Sequence, residues 1–340
     1  MATSDDAPLP PGKLPADTLA ALLKTLGARD PRVVVGPGIG LDAAVIDMGD
    51  RLLVAKTDPI TFAADSIGWY AVQINANDIA TTGATPRWFL ATVLLPGGRA
   101  DRAMARRIVD DLDAACAAIG ASLVGGHTEI THGLDRPIVV GMMLGEVARD
   151  RLVTAAGARP GDAVVLTKGI AVEGTAILAR EKPDRLVGLD ERLIERCRRF
   201  LTDPGISVVR DAALAVQSCR VHAMHDPTEG GLSTGLVEMA QASGVGMLID
   251  ECAVPFFPET LEVCRVTGLD PWGLIASGAL LIAVDPSDAG PVVSALGAGN
   301  VPATVVGQVT DRPGEVAVRT ADGLAPLRRF EPDELARVFG

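Results

Sequence analysis

The chain has 340 residues, of which 48% are apolar and only 3% aromatic, and its formal net charge is −12. That length exceeds what one hydrophobic core usually serves, so two domains are expected. The acidic balance excludes nucleic acid and anionic membrane as main partners, since both call for a cationic surface, and no apolar run reaches the roughly 18 residues of a membrane helix.

The first residues, MATSDDAPLPPGKLP, are Pro-rich and carry acids early, with no apolar core of a signal peptide. A short helix follows in PADTLAALLKTLG, with Asp17 as its N-cap and Gly27 as its stop. Residues 1–35 thus read as an N-terminal extension and short helix. Five cysteines (Cys116, Cys197, Cys219, Cys252, Cys264) are odd in number and form no C-x-x-C pair, as for reduced thiols of a cytoplasmic protein.

Residues 36–150 read as a first domain of order β-β-α-β-α-β-β, an α+β unit. DAAVID and RLLVAKTD are strands joined by the turn MGD. A helix runs from Ser66 to Gly83, with Val72, Ala76, Ile79 and Ala80 on its buried side and Asp78 pointing away from them. PRWFLATVLL is a strand. DRAMARRIVDDLDAACAAIG is the clearest helix, its apolar Ile108, Leu112, Ala115, Cys116 and Ile119 recurring at steps of three and four. SLVGG and PIVVGMMLGEVA are strands.

The turn-rich TAAGARPGD opens a second, mixed α/β domain at 151–325. AVVLTKG is its first strand, followed by helices over 171–181, 191–201 and 205–218. Then come strand VHAMHD, helix EGGLSTGLVEMAQA, strands GMLIDE and GALLIAV, helix AGPVVSALG and strands ATVVGQV and EVAVRT.

Chemistry concentrates at glycines and acids. GPGIGLDAAVI looks like a phosphate loop, with Gly38 and Gly40, yet no Lys follows and the first charge is Asp42. Asp58 ends a strand, Asp78 lies three residues from Asn75 on a helix beside Asn77, and Asp226 ends another strand. Singly, each aspartate also suits a cap, a turn or the surface. Together they are placed as converging Mg²⁺ ligands, which would neutralise phosphates while glycine N–H groups bond them. HDPTEGGL offers Thr228 as a cap and Gly230 and Gly231 at a helix start, where phosphate is attracted, although an ordinary strand-to-helix turn reads the same way. LVGGHTEIT has Gly125 and Gly126 before His127, Thr128 and Glu129, and its Gly-Gly also suits a bulge. His222 and His225, three apart on a strand, face opposite ways and cannot chelate together.

The segments GPGIGLDAAVI, KTDPITF, NANDIATTGATPRWFLATVLLP, GGHTE and HDPTEGGLSTGLVEMA, in this order, resemble the AIR synthase-related (PurM-like) superfamily. The opening LPPGKLP is similar to the HypE-like hydrogenase expression/formation branch. The resemblance implies a two-domain PurM-like fold, the first domain forming a barrel with its copy in a homodimer and the second a mixed α/β domain. It implies Mg-ATP, with Asp42, Asp58, Asp78 and Asp226 at the metal and phosphates, and Lys13, Gly38, Gly40, Asn75, Asn77, Gly125, Gly126, Thr128, Thr228, Gly230 and Gly231 around the nucleotide. Asp78, His127 and Glu129 are the catalytic candidates. The implied reaction uses ATP to phosphorylate or dehydrate an amide-, carboxylate- or phosphate-type group on a small molecule or a maturation-protein partner. The alternatives are a non-catalytic ATP-binding partner in hydrogenase metallocentre assembly and a thiamine-monophosphate-kinase-like phosphotransferase. Members of the HypE branch usually end in a cysteine that carries the reacting group, and this chain ends ELARVFG with Cys264 as its last cysteine.

Overall fold

A computed structural model describes residues 14, 16–24, 26, 30–38, 41–61, 63–330 and 332–339. Lys13, Gly27 and Gly40, singled out above, lie outside the described residues.

The first domain begins with helix α1 (Ala16–Leu23), so Asp17 lies within its first turn instead of capping it. A short strand β1 (Val33–Val35) precedes β2 (Ala44–Asp47) and β3 (Leu52–Ile60). Helix α2 (Ile67–Thr81), β4 (Thr85–Pro96), α3 (Arg102–Ala118), β5 (Ser122–Thr131) and β6 (Ile138–Val147) complete the expected order. The six strands form one sheet in the order β1-β2-β3-β6-β4-β5. Only β4 and β5 run parallel, because α3 is the crossover that a parallel pair requires. β5 continues beyond SLVGG to Thr131, so His127 and Glu129 sit on a strand and not in a loop.

The second domain comprises β7 (Ala163–Thr167), α4 (Val172–Glu181), α5 (Glu191–Arg199), α6 (Val209–Ser218), β8 (Val221–His225), α7 (Gly231–Ser243), β9 (Gly246–Asp250), α8 (Pro258–Thr267), β10 (Leu281–Val284), α9 (Pro286–Ala298), β11 (Ala303–Thr310), β12 (Val316–Thr320), β13 (Gly323–Pro326) and α10 (Ala336–Phe339). Its seven strands are ordered β13-β12-β9-β11-β7-β10-β8. α8 is an additional helix, with Pro258 in its first turn and Gly268 ending it in the left-handed region. α6 starts at Val209 and not at 205, since Gly205 sits at φ +87° and Val208 also leaves the helical region.

The decisive packing fact concerns α2. Every residue from Ile67 to Thr81 except Trp69 is buried, so the helix is enclosed on all sides and not half solvated. Val72, Ala76 and Ile79 are fully buried in a core that also includes Val172, Ile177 and Ile206 of the second domain. Asn77 fastens the two domains: its Nδ2 donates to Ile206 O at 2.8 Å, and its Oδ1 accepts from Val208 N at 2.8 Å. Asp78 therefore points into a buried space between elements, only 4% exposed, which corrects the expectation of an outward-facing acid.

Candidate active site

Strand β3 alternates sides, so Lys56 and Asp58 share the face turned toward α2 with buried Leu52 and Val54. Asn75 of α2 fixes Asp58 from above. Its Oδ1 accepts from Asp58 N at 2.9 Å, and its Nδ2 donates to Asp58 O at 3.3 Å and Ala71 O at 2.8 Å. With both ends of its amide on backbone, Asn75 positions Asp58.

Lys56 is the cation that the glycine loop lacked. Its Nζ stands 3.1 Å from Asp78 Oδ2 and 3.3 Å from Asp58 Oδ2. Burial by itself would lower the lysine's pKa, but Asp78, Asp58 and Asp42 outweigh it and hold the ammonium above its ordinary range. At Asp78 burial prevails over the neighbouring charge. Its burial raises its pKa well above the usual carboxylate range, with Asp226, Asp58 and Asp42 adding and Lys56 opposing.

A second group forms where β8 ends. Donor atoms of Asp42, His225 and Asp226 lie within 4.8 Å of one another. His225 Nδ1 is 3.1 Å from Asp42 Oδ2, and its Nε2 is 3.0 Å from Glu238 Oε2 on α7. Burial disfavours an imidazolium here, yet the two carboxylates prevail and raise the His225 pKa well above its ordinary value. Asp226 is 2% exposed, and neither of its carboxylate oxygens has a hydrogen-bond partner. Burial and Asp42 push its pKa up to about 7, against His225 and Lys56. His222 instead turns to Asp162, 2.9 Å away, so the two histidines do face opposite ways.

Asp42, Asp58, Asp78 and Asp226 thus belong to one neighbourhood, and with Glu238 they set five carboxyls against Lys56 and His225. The excess acid and the orphaned oxygens of Asp226 fit a hard divalent cation that takes oxygen ligands. They are less suited to a histidine-based zinc site, because both nitrogens of His225 are already held.

The glycine segments converge only in part. Asp58, Gly141, Ala91 and Gly126 are successive cross-strand partners in β3, β6, β4 and β5. At about 4.8 Å per strand, Gly126 stands roughly 14 Å from Asp58 along one row. A Cβ on Gly126, at φ +147°, would come within 2.0 Å of Ala91 O, so no other residue fits there. Gly126 and Thr128 share the face of Asp58, whereas His127 and Glu129 point to the opposite face. There they pair with each other at 3.3 Å, both exposed, and are not brought to the acids. Gly125 lies at the β4–β5 pairing opposite Leu90. Gly38 O accepts from Leu41 N at 3.4 Å in the turn just ahead of Asp42.

At the start of α7, Gly230 and not Thr228 is the N-cap residue, in the left-handed region. Thr228 contributes its carbonyl, which accepts from Gly231 N at 3.0 Å and Ala276 N at 3.3 Å. Gly230 N donates to Asp333 Oδ2 at 2.6 Å, so a carboxylate from the C-terminal tail holds the helix end that attracts anions. Lys56, Glu238 and Asp333 carry no sequence signal of their own strong enough to single them out, and His225 stands out in the sequence only beside His222, with which it cannot chelate. The spacing Lys-x-Asp on a strand, which puts both groups on one face, was the available signal for Lys56.

Two mixed domains joined through a buried helix, with carboxylates gathered where they meet, define a two-domain fold with an acidic site at its junction. Residues 40–147 match the AIR synthase related protein, N-terminal domain, and residues 159–319 match its C-terminal domain. The chain belongs to the AIR synthase related protein family and stands in its HypE-like branch. It is 32% identical over 298 residues to carbamoyl dehydratase HypE of Rhodobacter capsulatus, covering 84% of each chain. It is 31% identical over 323 residues to selenide, water dikinase of Pelobacter propionicus, covering 84% of this chain and 88% of that one. The crystal structure of hydrogenase maturation protein HypE in complex with ATP superimposes with a TM-score of 0.72 at 26% identity, covering 96% of this chain and 97% of that one. No helix among the described residues is long and apolar enough to cross a membrane.

Proposed function

We propose that this protein is an Mg²⁺-dependent, ATP-using cytoplasmic enzyme that transfers the γ-phosphoryl group of ATP to an amide, carboxylate or phosphate oxygen of its substrate. A new O–P bond forms at the substrate, the bond from Pγ to the β-phosphate oxygen breaks, and ADP leaves. One observation carries the reading. Asp226 is buried with two unpartnered carboxylate oxygens beside Asp42, and the Asp78–Lys56 pair belongs to the same neighbourhood. A buried charge in that state persists where a ligand completes it. The similarity to a HypE structure that holds ATP, and to a selenide, water dikinase, supports the nucleotide.

Asp42 and Asp226 would hold the divalent ion, whose chemistry is to neutralise phosphate oxygens. Lys56 supplies a fixed positive charge at the acids. His225 and Glu238 hold Asp42 in place, and Asn75 holds the backbone of Asp58. Gly126 and Thr128 extend the phosphate-facing row. Electrostatics and positioning of this kind do most of the work in phosphoryl transfer.

The acceptor is proposed to be a separate molecule, either a small compound or a maturation-protein partner. Cys264 is buried, with its thiol pushed up to about 12, and is not available as a carrier. Calorimetry of ATP binding with Mg²⁺ and with EDTA, followed by ATP turnover against a panel of amide, carboxylate and phosphate acceptors, tests the reading. Equally tight binding without metal, or no binding at all, would refute it.

A further inference from the structure

Beyond the phosphate-facing acids, a second set of polar side chains is buried between the domains with nothing to bond. Glu173 lies in the first turn of α4 and is 4% exposed, and its Oε2 has no hydrogen-bond partner. The hydroxyl of Ser277, fully buried, lies close enough to this carboxyl to pull its pKa down, yet makes no hydrogen bond of regular geometry. From the first domain, the hydroxyl of Tyr70 on α2 feels the charge of Glu173 and has no partner. One turn further along α2, Oε1 of buried Gln73 is also unbonded.

The backbone explains why Glu173 and Ser277 meet. Gly174 N donates to Ile275 O at 3.1 Å, which ties the start of α4 to the segment bearing Ser277. Ala276 N donates to Thr228 O at 3.3 Å, which ties that segment to the loop after Asp226. A Cβ on Gly278 would meet Val172 at the start of α4 and Ile206, whose carbonyl accepts from Asn77 of α2. The set therefore adjoins the Asp226 carboxylate, whose charge reaches Glu173.

Unbonded buried polar atoms are few in a folded protein, and several at one domain junction mark a ligand. The sign of the surroundings narrows the ligand. Burial raises the Glu173 pKa to about 8, and Glu229, Asp333 and Asp226 all add to that rise. Arg180, the cation that acts on Tyr70, is spent on Asp65 and Ser66. An anion placed here would meet acids on several sides. A nitrogen-bearing group with N–H bonds would satisfy the orphaned acceptors.

We propose that Glu173 and Ser277, with Tyr70 of the first domain near them, form a substrate subsite for a neutral or cationic N–H donor group beside the phosphoryl-transfer site. This assignment rests on the ATP-using reading only for what lies next to the subsite, since binding of the donor group is a property of Glu173 itself. Ligand-observed NMR on the full-length protein, with and without Mg-ATP, is the test, using guanidinium, acetamide and acetate as probes. Guanidinium and acetamide should bind and acetate should not. Glu173→Gln, which keeps the size but cannot ionise when a cation arrives, should weaken guanidinium binding about tenfold. Ser277→Ala should weaken acetamide binding, and both variants should bind Mg-ATP as the parent does. Acetate binding equal to acetamide, no binding of either donor, or undiminished binding in both variants would overturn the proposal. Donor binding without any Mg-ATP binding would uphold the subsite and overturn the ATP-using function.

Discussion

The Lys56 ammonium stands 3.1 Å from the Asp78 carboxylate, so a strand of the first sheet and the central helix α2 meet in a buried ion pair. Removing one member of such a pair leaves the other uncompensated, at a cost of about 3 kcal/mol. Lys56→Met should therefore destabilise the protein by that order in denaturant melts. Asp78→Asn should abolish ATP turnover with little loss of stability, because Lys56 keeps Asp58 at 3.3 Å and repulsion from Asp226 is relieved. The double variant should recover most of the loss. Additive effects in the cycle would show that the pair does not couple.

Asp226→Asn should remove the metal requirement together with productive ATP binding. In calorimetry the parent should bind ATP with Mg²⁺ or Mn²⁺ and fail to bind it with EDTA. The variant should show weak, metal-insensitive binding. Parent-like, metal-dependent binding in the variant would take Asp226 out of the site.

Glu173 has a folded-state pKa of about 8 against an ordinary 4.5. The group is easier to protonate when folded, so its contribution to stability is complete below about pH 4.5 and is lost as pH rises through about 8. The shift corresponds to at most about 5 kcal/mol. Thermal melts of the metal-free parent should fall across pH 5 to 9 more steeply than those of Glu173→Gln. Parallel pH profiles would contradict this.

Helices α2 and α3 lie against the first sheet on one side, while Met142 points to the other, 41% exposed, and Ile130 of the edge strand β5 is 66% exposed. An uncovered apolar sheet face and an open edge call for a partner surface. Light scattering should give about twice the 35.1 kDa chain mass, and Met142→Glu should shift the population toward monomer. A stable micromolar monomer of the parent would rule out the homodimer.

Val338 of α10 is buried, at 8% exposure, and Phe339 packs against the same core. Deleting residues 336–340 should cost about 2 kcal/mol through lost apolar burial. ATP turnover should persist, because Asp333 and its bond to Gly230 N remain. Loss of turnover in a folded truncation would tie the last residues to the site.

Most of the fold was legible from periodicity and punctuation. The order β-β-α-β-α-β-β and the α3 helix follow from apolar steps of two, three and four, which local geometry imposes on any chain. So do the glycine loops and the four aspartates, whose residue types announce their chemistry. What the sequence could not decide is which side of α2 is wet. Amphipathic spacing assumes one solvated face, and that holds only until a second domain covers it. Once α6, β8 and the Ile206–Val208 segment close over α2, Asp78 becomes a buried acid and Asn77 a clamp between domains. Lys56 and Asp78, 22 positions apart, and Asp42 and His225, 183 apart, become partners only through sheet pairing and domain packing. His127 and Glu129 lost their place among the acids for the same kind of reason. A strand reverses its side at every residue, and extending β5 by five positions fixed their side chains to the opposite face of the sheet.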